Sequence, residues 1–400
     1  MEPVNRRPRS ILTTEGELSF TRYLLYPADE KSRTILSDEF HAKSIAALDE
    51  YLGIDRLPFK VTCDMALRIA KMAIQEPSYK DAENRMLEDF NIRISDDRIR
   101  KIVTFIGNLV REEDERITRE TIAGYDPALV RAGSRRGRPP ANAFTLYVET
   151  DGAMFNTRGI NKEGSSWKEN KLGLVFRSDK LIVHIDKDSG KEIRRLGERE
   201  YICVTDGVDS LRKHVLALAI RNGLMEAYDV VLLSDGAIWI RNTKKDYFPF
   251  ATQILDLCHL KENVSKFAQY IFKNDKSKYV PWTKRANMLL EDGKWREVLK
   301  LEEVSPYKEK DTPVGIVNIY SYIYNNRDAI DYPKYKAKGY FVGSGAIESG
   351  NKSVMQARLK QSGMRWVVSN AQIVLSLRAK LESGLWESFV VPLVKRNYMK

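Results

Sequence analysis

The chain has 400 residues, 43% of them hydrophobic and 30% charged, a balance that is typical of globular rather than disordered proteins. Its formal net charge of +11 favours a polyanionic partner, because each phosphate that a Lys or Arg neutralises releases counterions. The three cysteines are scattered, which excludes a disulfide framework and a cysteine-rich zinc site.

The first 130 residues are predicted to form an irregular segment followed by a helical domain. Residues 1–40 are polar and show no clear periodicity, whereas apolar residues recur at helical spacing within residues 41–130. The sequence predicts three helices in this domain: Thr62 to about Gln75, Tyr79–Phe90 and Ser95–Val110.

The last two of these helices are joined by a tight turn, as in a helix-turn-helix. The second one carries the basic residues Arg98, Arg100 and Lys101, which are candidates for contacts with DNA. Helical hairpins are common, however, and basic residues on an exposed helix face are usually just solvated. This segment alone therefore leaves both interpretations open.

Residues 131–143 are predicted to be a basic linker, because they begin with a run rich in Arg, Gly and Pro that contains no acid. Within this run, Arg136 and Arg138 lie in an Arg-Gly-Arg-Pro sequence that matches the core of an AT-hook. The arginines of such a segment enter a narrow A·T minor groove. A plain linker that contacts phosphates is the alternative.

After Phe144 the periodicity becomes that of a mixed α/β sheet with flanking helices. Residues 144–260 are predicted to form the first part of this core, 261–342 a helical insert, and 343–400 a further helix followed by basic C-terminal helices. The predicted strands are Thr145–Thr150, Leu172–Phe176, Leu181–Ile185, Glu200–Thr205, Asp229–Ser234 and Ala251–Leu257, and a helix is predicted at Val208–Asn222.

Two of the predicted strands end in an Asp followed by a Gly, at Asp151 and Asp235. Adjacent strands lie about 4.8 Å apart, so two such carboxylates can share metal ions that are roughly 3.5–4 Å apart, as in two-metal phosphoryl transfer. Mg²⁺ prefers carboxylate and phosphate oxygens of this kind. The alternative is that each Asp-Gly pair only makes a turn, which is its commonest use.

A third carboxylate, Glu348, is predicted in the first turn of a helix that follows Gly343-Ser344-Gly345. A helix beside the strands could present Glu348 as another metal ligand. The alternative is that Glu348 complements the helix dipole and pairs with Lys352 one turn later.

In combination, these motifs resemble those of bacterial insertion-sequence DDE transposases, in the Mutator-like branch. The resemblance covers roughly residues 145–390 and is more specific than any one motif. It rests on Thr150-Asp151-Gly152, on the run Leu233–Ile240, on Ile254–His259, and on Gly343–Ser349 with its continuation through Arg358-Leu359-Lys360 to Trp366.

The resemblance implies an RNase H-like catalytic core that is interrupted by the helical insert. It also implies metal-dependent DNA cleavage and strand transfer at transposon ends, with two Mg²⁺ (or Mn²⁺) ions held by Asp151, Asp235 and Glu348. His259, in an Asp-x-x-His element that begins at Asp256, would contact DNA or the scissile phosphate. A core histidine at a strand end is the alternative for His259, and Trp239 is a weaker candidate site residue.

The expected partner is double-stranded DNA, namely the terminal inverted repeats of a transposon and its target. Residues 351–400 hold nine Lys or Arg against two acids, which suits a DNA channel. By the same resemblance, a homodimer or larger assembly is expected on DNA. The candidate DNA contacts in this region are Lys352, Arg358, Lys360 and Arg365.

Two other functions fit part of the sequence. One is a catalytically inactive DNA-binding protein derived from a transposase. The other is a carbohydrate hydrolase that uses two acids, which would gain nothing from the basic charge and would need no divalent metal. No apolar run reaches the roughly 18 residues of a membrane helix, and the basic N-terminus does not resemble a signal peptide. We therefore expect no membrane partner and a cytoplasmic, nucleoid-associated location in a bacterium.

Overall fold

The computed structural model of the chain describes residues 2–26, 47–54, 57–130, 140–160, 164–186, 190 and 192–399. The chain divides into two compact units. We call Met1–Glu113 with Ala357–Lys400 the helical unit, and Asp114–Gln356 the sheet unit. The linker arginines Arg136 and Arg138, predicted to contact DNA, lie outside the described residues.

The helical unit begins with an antiparallel β-hairpin, so the prediction of an irregular segment at residues 1–40 is wrong for residues 2–26. Strand β1 spans Glu2–Thr13, strand β2 spans Gly16–Tyr26, and the two pair along their length. Among hairpin residues 6–24, whose burial is described, only Ile11 and Leu12 are buried. The hairpin therefore lacks the alternating apolar pattern by which a strand is recognised in a sequence.

The predicted helices of this unit form close to their predicted bounds. The second one coincides with its prediction, and the Ser78 hydroxyl accepts a hydrogen bond from the backbone N–H of Asp81 at 3.0 Å. The third continues to Ile122 because no Gly or Pro interrupts its charged second half. The helices of this unit are Ala47–Tyr51, Cys63–Gln75, Tyr79–Phe90, Asp96–Ile122 (which ends in the sheet unit), Ala357–Leu359, Val368–Glu382 and Val391–Asn397, with a 3-10 turn at Pro58–Lys60 and a π-helix at Trp386–Val390.

The sheet unit is a mixed α/β structure, as the sequence predicts. Its main sheet has five strands in the order β7-β4-β3-β8-β9, and β5 and β6 form a separate hairpin. The β3–β8 and β8–β9 pairs are parallel, whereas β4 is antiparallel to both of its neighbours. The strands are β3 Thr145–Asn156, β4 Trp167–Arg177, β5 Leu181–Ile185, β6 Glu192–Leu196, β7 Arg199–Val204, β8 Asp229–Ser234 and β9 Thr252–Leu255.

An apolar core fixes the sheet against the helix Val208–Arg221. Leu146 and Val148 of β3 and Val175 of β4 are buried in one cluster with Leu211 and Val215 of this helix. Alternate residues of a strand point to opposite faces of the sheet. Glu149 and Asp151 of β3 therefore lie on the other face, away from this core.

The stretch predicted as an insert is helical, although its first helix starts earlier than predicted, at Leu257. Among the described residues, no helix combines the length and apolar character needed to cross a lipid bilayer. The helices of the sheet unit after β7 are Val208–Arg221, Ile238–Tyr247, Leu257–Ile271, Lys276–Glu291, Trp295–Leu299, Ile319–Asn325, Tyr332–Ala337 and Gly345–Gly350, with 3-10 turns at Ser305–Lys308 and Arg327–Ala329 and a π-helix at Asn351–Gln356.

Candidate active site

The two Asp-Gly motifs occupy different positions in their strands. Asp235 directly follows Ser234, the last residue of β8, as predicted. Asp151 does not end a strand, because β3 continues to Asn156 by pairing with β4. The prediction of a strand end at Asp151 is therefore wrong, and the reason is the antiparallel partner strand, which the sequence of β3 alone does not reveal.

The register of the sheet nevertheless aligns three carboxylates across three adjacent strands. Glu149 pairs with Leu233, and this register, continued by two residues, brings Asp151 level with Asp235. Ser234 pairs with Leu255, so one residue further Asp235 is level with Asp256. We call Asp151, Asp235 and Asp256 the carboxylate row.

The Asp151 carboxylate is half-buried and interacts with the charges around it. Its Oδ1 accepts from the backbone N–H of Gly152 at 2.7 Å, and its Oδ2 accepts from the side-chain amide of Asn351 at 2.5 Å. Burial raises the pKa of Asp151, and the negative charge of Asp235 raises it further, whereas Gly152, His259 and Asn351 lower it. Asp235 and His259 therefore both lie within electrostatic range of Asp151.

The loop that carries Asp235 has little freedom to move. Asp235 Oδ1 accepts from the backbone N–H of Ala237 at 2.9 Å, and the Tyr322 hydroxyl donates to the Asp235 carbonyl at 2.5 Å. Gly236 has a φ of 86°, and a Cβ there would lie 2.9 Å from the Asn326 amide nitrogen. A side chain at position 236 would thus be strained and obstructed, which explains the glycine after this aspartate.

Two buried carboxylates hold the start of the helix that carries Glu348. Glu149 accepts from the backbone N–H of Ile347 at 2.9 Å, and Asp256 accepts from the backbone N–H of Ser344. A Cβ on Gly350 would lie 2.5 Å from the Tyr201 ring, so the helix packs closely against β7. These contacts position Glu348, which is half-buried, beside the same sheet as the carboxylate row.

Glu149 is a buried acid that sequence analysis missed. Only 1% of it is exposed. Burial raises the pKa of Glu149 to about 8, with further increases from the charges of Asp256 and Glu348, although the Ile347 amide lowers it. A signal was present in the sequence, because a Glu inside an apolar strand two residues before Asp151 must share the face of that aspartate.

Asp256 and His259 of the Asp-x-x-His element differ in burial and in contacts. Asp256 is fully buried and caps the helix Leu257–Ile271, since its Oδ1 accepts from the backbone N–H of His259 at 2.7 Å. Both carboxylate oxygens of Asp256 therefore accept hydrogen bonds from backbone N–H groups. The His259 side chain is half-buried, and its interaction with Asp151 places it near the carboxylate row.

Trp239, the weaker candidate, is packed at the edge of the apolar core. The Lys171 ammonium lies 4.8 Å from the centre of its ring and forms an ion pair with Glu169 at 2.9 Å. These contacts account for the position of Trp239 through packing and a cation–π interaction.

Arg358, which was predicted to contact DNA, is buried inside the helical unit, so that prediction is wrong. Only 1% of it is exposed. Its guanidinium lies 4.9 Å from the ring centres of both Tyr79 and Trp366, and it donates to the carbonyl of Pro77 at 2.6 Å. The guanidinium is therefore enclosed by the fold rather than presented to a phosphate. The other three candidates of this region, Lys352, Lys360 and Arg365, are exposed.

The basic residues of the helix Asp96–Ile122 are also partly engaged. The Arg98 guanidinium donates hydrogen bonds to the carbonyl of Phe59, and the distance from its Nε to the carbonyl oxygen is 3.0 Å. Arg100 and Lys101 both pair with Asp97, at 2.5 and 2.7 Å. Exposed pairs of this kind are weak and exchange readily, so Arg100 and Lys101 remain accessible, whereas Arg98 is held by the protein backbone.

The donor chemistry of the site can be compared with that of a metal centre. Within the part of the chain that the structure describes, no group of three or more His, Cys, Asp or Glu side chains is placed to hold a metal ion. Asp151 on β3 and Asp235 directly after β8 supply hard carboxylate oxygens, and the charge of Asp235 raises the pKa of Asp151. Such a pair fits Mg²⁺, which binds one or two carboxylates and completes its shell with water and phosphate oxygens.

Comparison with known proteins gives a family but no activity. Residues 4–390 match the model of an uncharacterised protein family (UPF0236). No curated protein matches the chain.

Proposed function

The chain belongs to the uncharacterised protein family UPF0236, and from its geometry we propose that it is a DNA transposase that cleaves and joins phosphodiesters through Asp151, Asp235 and Glu348. One observation carries the proposal: Asp151 on β3 is level with Asp235, which directly follows the adjacent parallel strand β8, and the charge of Asp235 raises the pKa of Asp151. A divalent cation would relieve this repulsion, because opposite charge favours the ionised carboxylates.

The strand order supports an RNase H-like core. Counted along the chain, the five strands of the main sheet lie in the order 3-2-1-4-5, and only the second is antiparallel to the rest. This is the arrangement expected of an RNase H-like sheet, which the transposase resemblance implies. The helices between Leu257 and Ala337 then form the insert that separates Asp235 from Glu348.

Asp151 and Asp235 would hold Mg²⁺ or Mn²⁺, two ions in all, with Glu348 as the third ligand. Bound there, such ions would supply the charge that activates the attacking hydroxyl and stabilises the leaving oxygen. The chain itself orients the ligands: Asn351 fixes one oxygen of Asp151, and the Ala237 amide fixes one oxygen of Asp235.

Glu149, Asp256 and His259 would support the ligands. Glu149 and Asp256 hold the first turn of the Glu348 helix through its backbone N–H groups. Outer residues that orient metal ligands commonly change metal affinity or activity by about 10–100-fold when they are replaced. His259 would contact the DNA phosphate near Asp151, since its side chain is half-exposed there and its backbone is fixed by Asp256.

The partner would be double-stranded DNA, bound by a homodimer or larger assembly. The net charge of +11 supports this choice. The exposed residues Lys352, Lys360 and Arg365, with Arg100 and Lys101, would contact phosphates. The helices Tyr79–Phe90 and Asp96–Ile122 would act as the helix-turn-helix.

The test is a cleavage assay on duplexes taken from the ends of the DNA element that encodes the chain. We expect nicking and strand joining in Mg²⁺ but not in EDTA. Asp151→Asn, Asp235→Asn and Glu348→Gln should each reduce both reactions to background while duplex binding persists, because each keeps the size of the side chain and removes a charged ligand. A wild-type chain that binds the ends but never cuts them would instead be the inactive transposase-derived DNA-binding protein.

A further inference from the structure

A second charged site lies in the sheet unit, away from the carboxylate row. A cavity of about 580 Å³ is lined by Thr252 and Gln253 at the start of β9, by the helix Ile238–Tyr247, and by the segment that follows the helix Ile319–Asn325. Its wall contains one acid, Asp328, and five basic residues. We call this cavity the basic pocket, after Arg241, Lys244, Lys245, Lys334 and Lys338.

Most of this positive charge is not neutralised by the protein. Among the described residues, Lys244, Lys245 and Lys334 form no ion pair. Arg241 donates to the carbonyl of Asn325 at 2.8 Å, which leaves its charge in place. A concave wall with an excess of one charge concentrates the electric field and attracts ions of opposite charge. The pocket is therefore suited to an anion with several negative groups.

One side-chain oxygen of a buried residue in the wall has no hydrogen-bond partner among the described residues. Asn326 is only 4% exposed, and its amide nitrogen donates to the carbonyl of Tyr322 at 2.9 Å. Its Oδ1 is buried and accepts no hydrogen bond from the residues that the structure describes. A buried acceptor without a donor costs about 1–3 kcal/mol. A DNA phosphate carries no donor proton, so an ordered water molecule would supply the hydrogen bond to this oxygen.

The pocket is connected to the loop of Asp235. Asn326 lies next to Gly236. One helical turn earlier, the Tyr322 hydroxyl donates a hydrogen bond to the Asp235 carbonyl. Along β9, Thr252 in the pocket and Asp256 in the carboxylate row are four residues apart, which is roughly 13 Å in a strand. That distance equals about four base-pair steps along the axis of a DNA duplex, at about 3.4 Å for each.

We propose that the basic pocket binds phosphates of the DNA strand about four nucleotides from the bond that is cut. This inference rests on the proposed transposase function, because it takes the carboxylate row as the place of cutting. The lysines act as mobile point charges on the phosphates, while Arg241 is fixed by Asn325. The pocket would thereby set the path of the strand on one side of the active site.

The experiment compares two double variants that remove the same charge. Lys244→Gln with Lys334→Gln alters the pocket. Lys276→Gln with Lys284→Gln alters two exposed lysines of the helix Lys276–Glu291 and serves as the control. Binding to a 30-base-pair duplex is measured in EDTA at several salt concentrations, so that metal chemistry plays no part. Thermal unfolding checks that both variants fold.

We expect the pocket variant to bind at least about tenfold more weakly in 0.1 M salt. The slope of the logarithm of its binding constant against the logarithm of salt concentration should decrease in magnitude by roughly two, as for two lost phosphate contacts. The control should stay within about twofold. Equal losses in both variants, or no loss in the pocket variant, would overturn the proposal.

A titration with inorganic pyrophosphate separates a DNA phosphate from a small phosphate ligand. We expect pyrophosphate to compete with the duplex only weakly. If pyrophosphate binds the wild type and not the pocket variant while duplex affinity is unchanged, the pocket serves a small phosphate and the DNA proposal fails. Because binding is measured without metal, pocket-dependent duplex binding in a chain that never cuts would refute the proposed reaction and leave the pocket as a DNA site.

Discussion

Asp151 in the sheet unit and Arg358 in the helical unit are both charged residues that the sequence marks as functional, but their surroundings differ. Asp151 is half-buried and faces another carboxylate. Arg358 is enclosed by two aromatic rings and a backbone carbonyl, so its charge is used within the fold. A charged side chain is available to a ligand only where the fold leaves it accessible and its charge incompletely compensated.

The largest effect on stability is expected from Arg358→Ala. The variant loses a buried charged hydrogen bond and two cation–π contacts, and we expect the helical unit to lose about 3–5 kcal/mol of unfolding free energy. Urea denaturation followed by fluorescence measures the change. The control is Lys360→Ala, an exposed neighbour that should change stability by less than about 0.5 kcal/mol. If Arg358→Ala kept its stability but lost DNA affinity, the original DNA assignment would be restored.

An effect of similar size, but dependent on pH, is expected from Glu149→Gln. The folded pKa of Glu149 is about 8, against a usual value of 4.5. Between these values the folded chain holds a proton that the unfolded chain has released, so wild-type stability falls as pH rises from 4.5 to 8, by up to about 1.4 kcal/mol per pH unit.

The neutral Gln removes this dependence. In EDTA, the unfolding free energy of Glu149→Gln should exceed that of the wild type at pH 8 and approach it near pH 4.5. Parallel pH profiles for the two proteins would show that Glu149 is not protonated in the fold.

The smallest effect in this series concerns His259→Ala. Its side chain is half-exposed and its capping contact uses the backbone, so stability should change by less than about 1 kcal/mol. DNA cleavage should slow by about tenfold or more if the imidazole contacts the phosphate. Cys258→Ala, at the exposed neighbouring position, is the control and should cleave normally. A variant of His259 that is less stable but cleaves normally per folded molecule would make His259 a core residue.

Elements with strong local signals were predicted well from the sequence. The helix Tyr79–Phe90 and the strands Asp229–Ser234 and Leu181–Ile185 coincide with their predictions, because apolar spacing and flanking residues define them. The hairpin of residues 2–26 was missed because its pairing depends on a partner strand rather than on apolar alternation.

In the candidate site, too, residues in local motifs were predicted and contacts between distant residues were not. Asp151, Asp235 and Glu348 could be proposed from motifs, but the contacts of Asn351 and Glu149 could not. Asn351 reaches Asp151 from 200 residues away along the chain. The burial of Arg358 likewise depends on Tyr79, far away in sequence. Such contacts follow from tertiary packing, which a local pattern does not contain.

Calorimetric titration with Mn²⁺ in the absence of DNA measures whether Asp151 and Asp235 bind the same divalent cation. We expect the wild type to bind Mn²⁺, and Asp151→Asn and Asp235→Asn each to weaken this binding by at least about tenfold. Asp292→Asn, an exposed carboxylate of the same unit, should bind as the wild type does. If Asp151→Asn and Asp235→Asn both bound Mn²⁺ with the wild-type affinity, Asp151 and Asp235 would not share a metal site.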